Sequence, residues 1–574
     1  MSSTLALETN PDGKVRPEAP QNGLAGLKHL RHDIVSGIVV SLVSLPLSSG
    51  IAIASGVPPI YGLISAIIAG LIFPFIGGSF QTIAGPAAGL APALVAIMAS
   101  LGGVGDATHV GEGYPFLLCI IFFVGIVQIF MSILKLARFS AIIPVSVVEG
   151  MLASIGLLII VKQLPMFFGY TGSLKPHEFI EFVEAAPTYM AQMTVPVFAV
   201  SMLTFVLLMT LGNLKHIRLL QIVPPQLVAV VIGVILGQMF MLGDLNGGKF
   251  LISLPKDVLH GVHLPDFAAL FTRTDLWYAA ILGVITLTLI DGVESLATAM
   301  AIDRIDPFHR KSEPNRVLLA MGVCNIASSV FGGLTIIPGG VKSKANIASG
   351  GRTLWANFTN AICLILYLFV GRDLINMIPM GVLAAVLIYT GWKMCEPLVW
   401  KHMAHIGKEQ LGIFVVTVVS TLMTDLLWGI IIGVSAKFLL NLKLYRQAVA
   451  VTQPNAAAPS VQQTVVDFFS NPVSKREMQE KAYHLYLDKP LVCFNSMRLS
   501  DEVDRIPDDV TEIYLHLDSQ VAVIDHTSCE NLMEVVQQFS HKNVSVQIVG
   551  LDRMRRVSEY HACTHLATPA MASA

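Results

Sequence analysis

Apolar residues dominate the chain from Ile34 to Leu442 in stretches of membrane length, separated by short polar loops. Measured against a minimum of roughly 17 residues for a spanning helix, with two shorter stretches admitted, the pattern predicts about fourteen segments. Two of them are broken. Gly77, Gly78, Gly85, Pro86 and Gly89 interrupt the approach to the third, and Gly332, Gly333, Pro338, Gly339 and Gly340 interrupt the approach to the tenth. Glycine and proline at that density exclude one continuous helix at either place. Third of seven in each half is the spacing of two repeats of opposite orientation, over residues 34–242 and 277–442. Two half-helices then aim their N-termini at a site near the middle of the membrane.

Outside this region the pattern changes. Residues 1–25 are polar, hold Pro11, Pro17 and Pro20, contain no apolar leader core, and are expected to be a disordered tail. Leu24 to Asp33 fits a short interfacial helix. Residues 26–446 are expected to form a transmembrane domain, and residues 447–481, with Pro454 and Pro459, a linker. From 482 to 570 the chain reads as a small α/β domain. His484 to Leu487 and Glu512 to Leu517 alternate as strands, Asn531 to Phe539 fits a helix, and Val544 to Leu551 is a further strand.

Composition agrees with this division. The chain is 54% hydrophobic and 13% charged, about half the charged share of an ordinary soluble protein, with a mean hydropathy of +0.67. A net charge of -2 speaks against a nucleic-acid partner, and the bilayer is the expected surroundings. The cysteines show no metal-knuckle or CxxC spacing, and no nucleophile–base pair stands out, so neither a metal site nor an enzyme is expected. Basic residues recur in alternate loops: Lys135 and Arg138; Lys215, His216 and Arg218; Arg304, Arg310, Lys311 and Arg316; Lys393, Lys401 and Lys408. That alternation places both termini in the cytoplasm.

The candidate chemistry lies at the second interruption. A helix starting near Val341 presents free backbone N–H groups at its first turn, and Lys342 adds a cation there. An ammonium at membrane depth is costly and marks a functional site, whereas Lys344 fits a surface lysine at a helix end. Val341 and Ser343 flank Lys342. Asp291 and Glu294 lie one turn apart on the eighth segment, and Asp291 reads equally as a second functional acid or a water-facing carboxylate.

Several stretches resemble the sulfate permease family of anion transporters. They are Pro46–Gly62 (PLSSGIAIASGVPPIYG), Thr82–Gly89 (TIAGPAAG), Glu294–Asp303 (ESLATAMAID), Asn346–Thr353 (NIASGGRT), Pro490–Ser496 (PLVCFNS) and Ile524–Leu532 (IDHTSCENL). The resemblance implies a polytopic α-helical fold of seven plus seven inverted segments, followed by a cytoplasmic domain of the kind shared with anti-sigma-factor antagonists (STAS). It implies an anion site between the third and tenth helices, formed by Lys342, Val341, Ser343, Ala87, Ala88 and Gly89. Leu47 and Ile51 of the first helix stand where relatives often carry glutamine and phenylalanine. Glu294, with Thr298 one turn later, matches the position that helps hold Na⁺ in sodium-coupled relatives, and the empty site is expected to hold a Glu294–Lys342 pair. Ser528 matches the turn phosphorylated in anti-sigma antagonists, a candidate regulatory phosphosite, with a plain helix cap by Asp525 or Thr527 as the competing reading.

The function implied by this resemblance is that of an elevator-type secondary transporter of a small inorganic anion, bicarbonate or sulfate. It would work in a bacterial inner membrane as a homodimer, with H⁺ or Na⁺ as coupling ion and no organic cofactor. An uncoupled anion channel, a dicarboxylate transporter and an anion sensor acting through the STAS domain are the alternatives.

Overall fold

The computed structural model describes residues 19–137, 143–172, 179–213, 225–253 and 263–568, except 304, 309, 425, 453–459, 504, 508, 519 and 542–543. Arg138, Lys215, His216, Arg218, Arg304 and most of the expected tail therefore lie outside the described residues.

The first half runs through α1 (Leu30–Ala54), α2 (Pro59–Ile76), β1 (Ile83–Pro86), α3 (Ala91–Ser100), α4 (Tyr114–Ile133), α5 (Val145–Phe168), α6 (Phe179–Ala191), α7 (Val195–Asn213) and α8 (Pro225–Met239). The second runs through α9 (Trp277–Asp303), α10 (Pro314–Val330), β2 (Ile336–Gly339), α11 (Gly340–Ala348), α12 (Trp355–Phe369), α13 (Met380–Cys395), α14 (Pro397–Ile406), α15 (Lys408–Met423) and α16 (Leu426–Thr452). Among the described residues, eight helices are long and apolar enough to cross a membrane, and α3, α8 and α12 are shorter apolar helices. With α6 and α14 set aside, each half holds seven segments, the third beginning with a strand.

The two interruptions form strands. β1 and β2 pair antiparallel, Ile83 opposite Gly339 and Pro86 opposite Ile336. Non-helical backbone at membrane depth is tolerated only where its polar groups are satisfied. Here side chains from four other positions do this. Ala84 N–H donates to Asn357 Oδ1 at 2.8 Å, Ile336 N–H to Asn325 Oδ1 at 2.7 Å, Leu334 N–H to Ser65 Oγ at 2.6 Å and Ile83 N–H to Ser343 Oγ at 2.9 Å.

Helices gather around this ladder in two bundles. In one, α4 packs on α10, and α1 and α2 pack on α12; in the other, α5 packs on α13 and α15, and α7 packs on α13. Small residues permit close crossings. A Cβ at Gly125 of α4 would lie 2.6 Å from the Gly322 carbonyl of α10, and one at Gly322 would lie 2.7 Å from the Gly125 carbonyl.

α6 and α14 were not expected. Each stands between the fifth and sixth segments of its half, so the repeat extends to the helices between the spans. Pro397, the first residue of α14, ends one helix and opens the next.

The interfacial helix expected over 24–33 is a short 3-10 turn, Gly23–His29, running into α1. Pro20 and Asn22, assigned to the tail, are held. The Pro20 carbonyl accepts from Arg310 Nη1 at 2.6 Å, and Asn22 bridges the Ser79 carbonyl and the Leu354 N–H. The expected linker also carries structure. α16 reaches Thr452, α17 covers Val461–Phe469, and β3 covers Val473–Gln479. β3 is a polar edge strand, VSKREMQ, and its composition hid it.

The C-terminal unit is a small α/β domain, consistent with the expected STAS domain. After β3 come β4 (Ala482–Leu487), α18 (Ser496–Val503), β5 (Glu512–Leu517), β6 (Val523–Ile524), α19 (His526–His541), β7 (Ser545–Val549), β8 (Met554–Arg556) and β9 (His565–Ala567). The main sheet runs β3-β4-β5-β7, antiparallel at β3–β4 and parallel beyond. Leu485, Leu487, Ile513, Leu515 and Leu517 form its core.

Candidate functional site between the half-helices

β2 leads directly into α11, so the chain turns from ladder to helix at Gly340 with Lys342 in the first turn. Lys342 is 1% exposed. Its ammonium donates to Ser48 Oγ of α1 at 3.3 Å. It also stands where a side chain on Gly85 of β1 would be, so glycine there makes room for the lysine.

Glu294, on α9, is also buried. A Cβ at Gly89 would lie 2.5 Å from both of its carboxylate oxygens, and its Oε2 has no hydrogen-bond partner. Thr298 is half-buried, its methyl 3.9 Å from where a Cβ on Gly340 would lie. Leu47, Ile51 and Ala87 belong to one buried apolar cluster, with Ala88 and Val341 packed against it. Lys342, Glu294, Thr298, Gly89, Leu47, Ile51, Ala87, Ala88 and Val341 thus lie around the ladder.

Three expectations need correction. Among the described residues no ion pair joins Glu294 to Lys342. The ammonium is drawn to Ser48 and the carboxylate lies against Gly89, at the other end of the turn that follows β1. Ser343 is not free to meet a ligand, because its hydroxyl accepts from Ile83 N–H and donates to the Gly339 carbonyl at 2.7 Å. Ala87, Ala88 and Gly89 precede the first turn of α3, which begins at Ala91.

Asp291 is fully buried and faces no water. It accepts from Gln128 Nε2 at 2.8 Å, Asn325 Nδ2 at 3.1 Å and Ser295 Oγ at 3.2 Å. Because Asn325 also holds Ile336, Asp291 braces β2. Lys344 is exposed, as the surface reading expected.

Ser48, Asn325 and Asn357 were not singled out from sequence. For Ser48 a signal existed: it lies one residue after Leu47, on the helix expected to line the site. The two asparagines carried none, since their partners lie on a strand or across the repeats.

Ser528 is 1% exposed, at the start of α19. Its N–H donates to Asp525 Oδ1 at 2.9 Å, which is the helix-cap reading.

The chain belongs to the sulfate permease family, whose model matches residues 30–417, and it is a multi-pass membrane transport protein. It is 26% identical over 412 residues to the bicarbonate transporter BicA of Synechocystis, covering 71% of this chain and 69% of that protein. It is 23% identical over 559 residues to chloroplastic sulfate transporter 4.1 of Arabidopsis thaliana, covering 91% of this chain and 75% of that protein. The fold matches the transmembrane domain of a cyanobacterial BicA with a TM-score of 0.58 at 23% identity, over 70% of this chain and 97% of that one. It matches the murine Slc26a9 anion transporter in its inward-facing state with a TM-score of 0.62 at 14% identity, over 93% of this chain and 90% of that one.

Proposed function

We propose that the chain is a secondary transporter of a small inorganic anion, with bicarbonate ahead of sulfate. The observation that carries this is the buried ammonium of Lys342 at the first turn of α11, not neutralised by any described carboxylate. The helix dipole and free N–H groups add to its attraction for an anion. Ser48, whose oxygen accepts from the ammonium, can turn its own hydroxyl proton toward the anion. One buried cation balances one negative charge. Sulfate would bring a second charge into a poorly hydrated place, which is expensive without a co-transported cation. The names of the relatives support the same short list.

Glu294 serves as the coupling group. An unpartnered buried carboxylate recruits H⁺ or Na⁺, and Thr298 on the same helix face supplies an oxygen for the latter. The half-helices and their ladder move as one body with α1, α2, α4, α9, α10 and α12 against the α5–α7–α13–α15 bundle, carrying the anion as an elevator does. We place the protein in a bacterial inner membrane with cytoplasmic termini, as a homodimer held by the C-terminal domain. Uptake of labelled bicarbonate and sulfate into proteoliposomes, with sodium and proton gradients varied separately, tests this. Anion flux that follows its own gradient regardless of both cations would instead describe a channel.

A further inference from the structure

α14, the helix between the twelfth and thirteenth segments, is amphipathic. Met403 and Ile406 are buried, while Lys401, His402 and His405 are exposed and Leu398 is 68% exposed. Pro397 opens its first turn and sets it off from α13, and the Trp400 indole N–H closes the corner by donating to the Cys395 carbonyl at 3.1 Å. The Trp400 ring packs edge-on against Phe414 of α15, centroids 4.8 Å apart.

A groove of about 620 Å³ remains between these elements. Leu157 and Ile160 of α5, Trp392 and Cys395 of α13, and Pro397, Trp400 and Lys401 line it. Apart from Lys401 the lining side chains are apolar. Nearby Lys393 is neutralised by Glu396 at 2.8 Å, whereas Lys401 makes no ion pair or hydrogen bond with any described residue.

We propose that this groove binds an anionic phospholipid, an acyl chain lying along Leu157, Ile160 and Trp392 and the phosphate meeting Lys401. An apolar trough explains the chain, and the free ammonium at its edge explains the charge. The tryptophans fit the headgroup level of a bilayer, where amphipathic rings concentrate. Basic residues at that level attract anionic lipid. A soluble phosphate would use Lys401 and leave the trough unexplained. The same α14 accepts a hydrogen bond from Ser558 of the C-terminal domain at the Ile406 carbonyl, at 2.5 Å, so the lipid would sit beside that domain's docking point. This inference does not depend on which anion is carried.

The test uses the full-length protein in mild detergent, offered phosphatidylglycerol, phosphatidylcholine or inorganic phosphate. Lipid retained after washing is measured by mass spectrometry, and stability by thermal melting. Phosphatidylglycerol should be retained in preference to phosphatidylcholine and should raise the melting temperature, while phosphate should not. Lys401→Gln, at an exposed position, should lower the preference for phosphatidylglycerol about fivefold. Leu157→Trp should reduce retention of both lipids. Equal retention of the two lipids, an unchanged preference in Lys401→Gln, or full stabilisation by phosphate alone would each overturn the proposal.

Discussion

Lys342 and Glu294 occupy facing elements of one buried site yet are held apart: Lys342 donates to Ser48 at 3.3 Å, and Glu294 keeps one oxygen without a partner. This separation governs how the protein responds to losing either charge. Removing one member of a buried ion pair costs about 3–5 kcal/mol, because the other charge is stranded. Glu294→Gln strands nothing here and replaces a poorly satisfied carboxylate with a neutral amide. The variant should therefore melt no lower than the native protein in anion-free buffer. A loss on the scale of a broken pair would show that the two residues do pair.

Gly85 and Gly89 give a second prediction. A methyl group at Gly85 would collide with the Lys342 ammonium, and one at Gly89 with the Glu294 carboxylate. In both cases the obstacle is the free end of a flexible side chain, which moves at small cost. Gly85→Ala and Gly89→Ala should accordingly fold, with melting changed by no more than about 1 kcal/mol equivalent. Displacing a binding group by about 1 Å can cost on the order of a hundredfold. Gly85→Ala should lose anion affinity, and Gly89→Ala the response to sodium or pH. Normal uptake by both variants would remove Lys342 and Glu294 from the working site.

Asn325 and Asn357 give the contrasting case, in which the fold itself fails. Each holds a strand N–H at 2.7–2.8 Å, and Asn357 Nδ2 also donates to the Thr82 carbonyl at 2.8 Å. Replacement by leucine leaves these groups unpaired at membrane depth, at about 1–3 kcal/mol for each. Asn357→Leu, which orphans the Ala84 N–H of β1 and the Thr82 carbonyl just before it, should melt well below native. Native-like melting of that variant would mean the ladder does not depend on this anchor.

These differences explain what could be read from the sequence. The Gly/Pro interruptions and the out-of-place lysine are local signals, and they located both half-helices and Lys342. The ladder is four residues on each side, IAGP and IIPG, with prolines that no strand pattern favours. It exists because residues some 250 positions apart meet, as Ile83 meets Gly339. The same distance hid Ser48 as the partner of Lys342. The expected Glu294–Lys342 pair failed for a related reason: helix position places a side chain near a site, but its direction depends on partners elsewhere in the chain.

At the junction with the C-terminal domain the charges do pair. Lys437 of α16 and Asp525, just before α19, are both 0% exposed and lie 3.5 Å apart. Asn441 Nδ2 and the Cys493 N–H donate to the same carboxylate oxygen at 3.0 and 3.1 Å. Burial by itself would raise the Asp525 pKa; the Lys437 ammonium and the N–H donors outweigh it and hold the carboxyl below its ordinary value. A carboxyl depressed in the folded state stabilises above its unfolded pKa of about 3.9, and that contribution is lost as pH falls through the folded value. Docking should therefore be insensitive to pH between about 5 and 8 and weaken only below about 4. Asp525→Asn should strand the Lys437 ammonium, and Lys437→Met the Asp525 carboxylate, each at about 3–5 kcal/mol. Asp525→Asn combined with Lys437→Met removes both charges and should recover much of that loss. Hydrogen exchange in α16 and α19 measures the docking directly. If the double variant exchanges as fast as the sum of the singles requires, the ion pair does not hold the two domains together.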